Sequence, residues 1–136
     1  MASGDPNAIL RAYLAAEAGL VAVVGTRIYV PRLPEGCALP ALGLFVRGGW
    51  STPYIPEITD PSFQIDCWGA TQIEARQVYT ALYDCLQGVQ DETVTVGGTD
   101  YRILGAMEEV QGQDLQDVEY PGYCRVLTFF RITMQI

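Results

Sequence analysis

The chain predicts an α+β fold: a mostly antiparallel β-sheet with two helices packed on one face, and a long loop free to form an interface. Three stretches predict it. SFQIDCWG (residues 62–69) alternates in polarity, with Phe63, Ile65 and Cys67 pointing one way and Gln64, Asp66 and Trp68 the other. That period of two is the mark of a strand. Thr71-Gln-Ile-Glu74 then forms a capping box, which satisfies orphan amides at a helix start. It precedes an apolar stripe at Ala75, Val78, Tyr79, Leu82 and Leu86, so a helix is expected over about 72–87, stopped by Gly88. Third, TVTVGGTDYRIL (residues 93–104) reads as a hairpin, because Gly97-Gly98 supplies the positive φ angles of a two-residue turn.

The remaining elements follow in order. Asp5 is a good N-cap and Pro6 suits the first helical position. Ile9, Leu10, Tyr13 and Leu14 recur at helical spacing, and Gly19 is the expected stop. LVAVV (residues 20–24) reads as one more helical turn or a tight connection ended by Gly25. RIYV (residues 27–30) is a short strand closed by Pro31, and PALGLFVR (residues 40–47) is a longer one. GGWSTPYIPEITDP (residues 48–61) contains three prolines and reads as a loop. The strand after Gly98 extends towards Val110, with Gly105 as a bulge, and residues 111–122 read as an acidic, turn-rich connection. In the last strand, Val126, Phe130, Ile132 and Met134 share one face, and Arg125, Leu127, Phe129 and Arg131 the other. Both faces are partly apolar, so this strand is expected to be central or covered on both sides.

At 136 residues the chain fits one domain, residues 1–136. No apolar run reaches the roughly 18–20 residues of a membrane span. The N-terminal stretch carries Asp5 and lacks the basic region of a signal peptide, so an intracellular origin is expected. The formal net charge is -8 and all eight cations are arginines. Such a balance repels a phosphate backbone and argues against sequence-specific DNA binding. It suits a channel through which DNA slides without sticking.

The chemistry on offer is narrow. The chain has no His and no Lys, which removes Ser-His and Cys-His nucleophile pairs, Schiff bases and Walker lysines. Cys37, Cys67, Cys85 and Cys124 are widely spaced, unlike zinc ligands, and read as buried thiols. No cofactor or metal is expected. Glu108-Glu109 is a paired-carboxylate candidate, but neighbours on a strand face opposite sides and share no proton; the plainer reading is edge charge. Asp66 beside Trp68 reads as a sheet-face charge paired to an arginine. A carboxylate-based enzyme or small-ligand domain would need a pocket holding Asp66 or Glu109.

The block PSFQIDCWGATQIEARQVYTAL (residues 61–82) resembles the signature of the tail-completion, or tail terminator, proteins of long-tailed bacteriophages and phage-like gene transfer particles. The matching positions are Gln64, Ile65, Asp66, Trp68, Thr71, Glu74 and Ala75, with Gly25, Arg27, Ile28, Tyr29, Leu39 and Pro40 upstream. The resemblance spans nearly the whole chain. It implies a structural virion protein at the tail–neck junction, assembled in the host cytoplasm. It further implies a hexameric ring at the head-proximal end of the tail tube, with no catalytic residues. Its implied partners are further copies of itself, the major tail tube protein, a neck or head-closure protein, and passing DNA that is not specifically bound; no membrane is involved. Another head–tail connector or head-closure ring protein is the neighbouring alternative.

A ring gives the 48–61 segment a purpose. Trp50, Tyr54, Ile55 and Ile58 are large apolar groups on a stretch that does not read as regular structure. They are expected at a subunit or tube interface, where Trp and Tyr serve as anchors. Arg47 and Arg131, with Arg102 and Arg125, are candidates to pair with acids across subunits, the plainer reading being ordinary surface arginines. Asp114, Asp117 and Glu119 are candidate acids of the lumen or rim, the plainer reading being a solvated loop.

Overall fold

A computed structural model describes residues 3–51, 53–116 and 123–136. The elements run α1 (Pro6–Ala15), α2 (Ala18–Val24), β1 (Ile28–Tyr29), β2 (Ala41–Ser51), β3 (Ile58–Gly69), α3 (Gln72–Leu86), β4 (Gln90–Val96), β5 (Thr99–Gln116) and β6 (Cys124–Gln135). The strands form one six-stranded sheet in the order β1-β2-β3-β6-β5-β4. Among the described residues only the β1–β2 pair is parallel, and every other pair is antiparallel. The fold is therefore α+β, and β6 is central as its two-sided apolar pattern predicts.

The local signals act where they were read. Asp5 caps α1 by accepting from the Asn7 amide at 3.0 Å. At α3 the Thr71 hydroxyl accepts from the Glu74 amide at 3.2 Å, and the Glu74 carboxylate accepts from the Ala70 amide at 3.0 Å. Gly97 and Gly98 take φ values of 59° and 81° and turn β4 into β5. Gly105 lies at a register shift between β5 and β6.

All three helices contribute to one core on one face of the sheet. Ile9, Leu10 and Leu14 from α1, Leu20 and Val24 from α2, and Val78, Leu82 and Leu86 from α3 are fully buried. They join Leu42, Leu44, Phe63, Ile65, Cys67, Val126, Phe130, Ile132 and Met134 of the sheet. The register sets Phe63 beside Val46 and Phe130, and Ile65 beside Leu44 and Thr128, so the apolar alternation of three strands adds into one surface. Each fully buried side chain of this size stabilises the fold by about 1.5–3 kcal/mol before entropy is counted. Among the described residues, no single helix is long and apolar enough to cross a membrane.

Three expectations need correction. There are three helices rather than two, because Gly19 lies inside α2. The break falls at Ala16–Glu17 instead, where the axis bends by 87° and Leu20 and Val24 can turn into the core. Residues 111–116 are not a turn-rich connection; they continue β5, whose ladder with β6 holds Gln113 against Leu127 and Leu115 against Arg125. Most importantly, residues 48–61 are not simply a loop. β2 continues to Ser51 and β3 starts at Ile58, pairing Trp50 with Asp60 and Ser51 with Thr59.

The result is a hairpin arm. Arg47 is an extra residue in β2, since pairing steps from Val46–Phe63 to Gly48–Ser62. Gly49 then adopts φ 114°, and a Cβ there would collide with the Asp60 carbonyl oxygen. Only glycine permits this approach. Pro61, which has no amide to donate, sits where the β3–β6 ladder skips from Thr59–Met134 to Ser62–Arg131.

Candidate interaction surface

The sheet face opposite the helices carries a repeated unit: an arginine over an aromatic ring, next to a carboxylate. The Arg47 guanidinium lies 4.0 Å from the Phe129 ring centre. Its Nε donates to Ser62 Oγ at 2.9 Å, and Glu109 is 4.0 Å away. Ser62 in turn donates to Glu109 at 2.6 Å. Arg125 sits 5.3 Å over Trp68 and 3.6 Å from Asp66. Arg131 sits 5.4 Å over Trp50 and 3.4 Å from Asp60, which also accepts from the Thr133 hydroxyl. Strand alternation builds this pattern: β6 sends Arg125, Leu127, Phe129 and Arg131 to this face, and β3 meets them with Gln64, Asp66 and Trp68. Each exposed stack is worth roughly 0.5–1 kcal/mol and each exposed ion pair about 0–1 kcal/mol. The pattern organises a surface more than it stabilises a fold.

Asp66 is the buried member, at 8% exposure. Burial raises its carboxyl above the usual range, and Arg125 and the Gln64 amide offset this only in part. Its Oδ1 and Arg125 Nε are both buried without a hydrogen bond. The expected pairing of Asp66 with an arginine is therefore present. Two cavities of about 570 and 410 Å³ are lined by neither Asp66 nor Glu109.

Glu108 and Glu109 point to opposite sides of β5, as strand geometry requires. Glu108 accepts from Tyr79 at 2.6 Å and from Thr128 at 2.7 Å on the helix side, whereas Glu109 joins Arg47 and Ser62. Both are partnered and β5 is not an edge strand, but Glu109 remains exposed, as the reading of a solvated charge expects. Burial, then the Glu108 bond, push the Tyr79 hydroxyl up to about 12. Burial likewise raises the Cys85 thiol to about 12 and the Cys67 thiol well above its ordinary value. These thiols stay protonated at neutral pH and are poor nucleophiles.

The arm concentrates the exposed apolar surface. Trp50 is 68% exposed, Tyr54 91% and Ile55 50%. Ile58 differs: it is half-buried at the tip end of β3, where it pairs with Gln135, its amide donates to Ile55 O and the Ile136 amide donates to Glu57 O. Arg47 and Arg131 lie at the arm's base, beside Ser62. Thus the structure brings together Trp50, Arg131 and Arg47 on one face, with Tyr54 and Ile55 beyond them at the tip. Asp114 lies elsewhere, on β5, accepting from Arg76 Nε at 2.8 Å and from Gln72 at 3.1 Å. Asp117 and Glu119 lie outside the described residues. Arg47, Arg102, Arg125 and Arg131 pair with Glu109, Asp91, Asp66 and Asp60 of their own chain.

Sequence reasoning missed Asp60, Ser62 and Met107 as parts of this face. Met107 is exposed and stands opposite Arg131 in the β5–β6 register. The available signal was the alternation of β6, but beyond Gly105 the matching register of β5 passes through two further shifts, at Glu108–Val110 and Val110–Gln113, that no local pattern announces.

No family model matches the chain, and no curated protein matches it. Among solved structures, a chain from the virion of a native gene transfer agent particle is similar over 96% of this chain and 95% of its own length, at 24% identity and a TM-score of 0.65. The likeness runs from end to end, and at this identity it establishes the fold shared by the two chains.

Proposed function

We propose that this chain is a structural virion protein of a phage-like particle. In this reading it forms a ring at the head-proximal end of the tail tube, ends tube polymerisation and joins the tail to the neck. The observation that carries the reading is the end-to-end fold likeness to a chain of a gene transfer agent virion. The exposed arm adds to it. A contiguous group of Trp50, Tyr54 and Ile55 in water is costly for a lone subunit and typical of a protein–protein contact.

The roles follow from placement. Trp50, Tyr54, Ile55 and Ile58 are the apolar part of a subunit or tube interface. Arg47 and Arg131 stiffen its base through their stacks on Phe129 and Trp50. The net charge of -8 keeps passing DNA from adhering. Asp114, Asp117 and Glu119 are the proposed lumen or rim acids, although Arg76 offsets much of the charge of Asp114. No step requires a cofactor, and the reading assigns no catalysis.

Deleting the gene from a particle-producing strain tests the role. Overlong tubes, or heads and tails that fail to join, are the expected result. Particles of normal length, fully joined, overturn it. A ring imaged elsewhere in the neck would keep the virion role and transfer the chain to head closure.

A further inference from the structure

The eight arginines divide into two groups. Five are paired with acids: Arg47, Arg76, Arg102, Arg125 and Arg131. Among the described residues, Arg11, Arg27 and Arg32 have no carboxylate partner. All three lie at one corner, around β1. Arg11 Nε donates to Ile28 O at 3.2 Å, and Arg27 Nε donates to Pro40 O at 2.7 Å. The Arg32 backbone passes over Gly43, the β2 partner of Tyr29. In a chain of net charge -8 this corner gathers the three arginines that have no carboxylate at ion-pair distance among the described residues.

The same corner holds an apolar groove of about 410 Å³ between α1, α2, β1 and the end of β4. Ala8, Ala12, Val21, Ile28 and Val96 line it, with Arg11 at its edge. Its occupant should therefore be apolar with an acidic neighbour. The arm tip has that composition: Tyr54 and Ile55 are exposed, and Glu57 follows them, exposed and with no ion pair among the described residues.

The tip cannot reach this groove in its own chain. β1 pairs with β2 at Leu42 and Gly43, whereas the tip lies beyond Ser51 at the far end of the same strand. At about 3.3 Å per residue the two are some 26 Å apart along β2. We infer that the arm tip of one copy, Tyr54 to Glu57, docks into the α1–α2–β1 groove of the next copy, with Glu57 facing Arg11. Donor and acceptor are different surfaces, so the contact is head-to-tail and produces a ring when its rotation closes. This inference rests on the ring reading and names the contact that closes it.

Charge exchange and cross-linking test it. Arg11→Glu alone and Glu57→Arg alone should each cut incorporation into assembled particles by at least about tenfold, the factor that corresponds to one lost contact of roughly 1.4 kcal/mol. The double variant should recover most of that loss. A second measurement covers variants that fold poorly: Ala12→Cys and Ile55→Cys, introduced together, should give a bismaleimide ladder of this chain in intact particles, with the 12–55 link identified by mass spectrometry. Absence of that link while the chain is still seen as a ring overturns the docking and leaves the ring standing. A link from position 55 to a different particle protein also overturns it and makes the arm a heterotypic contact. Particles with no ring of this chain remove both readings.

Discussion

The helix-covered face of the sheet and the β2–β3 arm use similar side chains to opposite ends. On the covered face, Phe63, Ile65 and Phe130 are fully buried; on the arm, Trp50, Tyr54 and Ile55 are largely in water. Residue type does not separate them. What separates them is whether a second layer exists. Three helices close over one side of β3 and β6, while the outer part of the arm, although paired with β6 out to Ile58–Gln135, leaves Trp50, Tyr54 and Ile55 exposed. An apolar group in the first place stabilises the monomer; in the second it remains exposed, and the proposed function gives it a partner.

Substitutions can break this comparison, and the largest effect belongs to the core. Phe130→Ala should lower unfolding free energy by roughly 3–5 kcal/mol in urea titration, because a buried ring leaves a cavity that three helices cannot collapse. A loss below about 1 kcal/mol would mean that this face is looser than its burial implies.

Next comes the joint between the two regions. Gly49→Ala should cost about 1–3 kcal/mol, through positive φ and collision with Asp60. Gly48→Ala should cost less, since a Cβ there meets open space. Equal losses would argue that the arm bends without needing the close approach at Gly49.

The open face offers a test by pH. Burial raises the Asp66 carboxyl, so the folded chain binds this proton more readily than the unfolded chain does. The Asp66 contribution to stability therefore falls as pH rises from about 3.9, the unfolded value, through the raised folded value, and then levels. The stability difference between the native protein and Asp66→Asn should follow that course across a pH series. A difference that grows with pH would show that Arg125 outweighs the burial.

The smallest effect is expected at the tip. Tyr54→Ser should change monomer stability by no more than about 0.5 kcal/mol, and Trp50→Ala only slightly more through its lost stack on Arg131. Both should weaken assembly, read as reduced incorporation into particles. A large drop in monomer melting for Trp50→Ala would show that the arm folds back on its own sheet.

Much of this architecture was legible beforehand, for reasons visible in particular residues. The Thr71–Glu74 capping box, the Gly97-Gly98 turn and the alternation of Phe63, Ile65 and Cys67 each act within a few residues. The misreadings share a cause. Gly19 resembled a helix stop, yet burial of Leu20 and Val24 holds it inside α2. Three prolines argued for a loop over 48–61, yet β3 continues through Pro61 because that position asks for no amide bond.

The sequence by itself determined the periods where they are strong, as in residues 62–69 and 72–86, which face of each is apolar there, and that the chain is acidic with arginine as its sole cation. Those properties depend on neighbours one to four residues apart. Only the tertiary structure decided that Arg47 meets Glu109, that Arg131 stacks on Trp50, and that the three arginines without acid partners among the described residues gather around β1. Such pairings join residues far apart along the chain through sheet register and bulges, and register is chosen by the packing of the whole core.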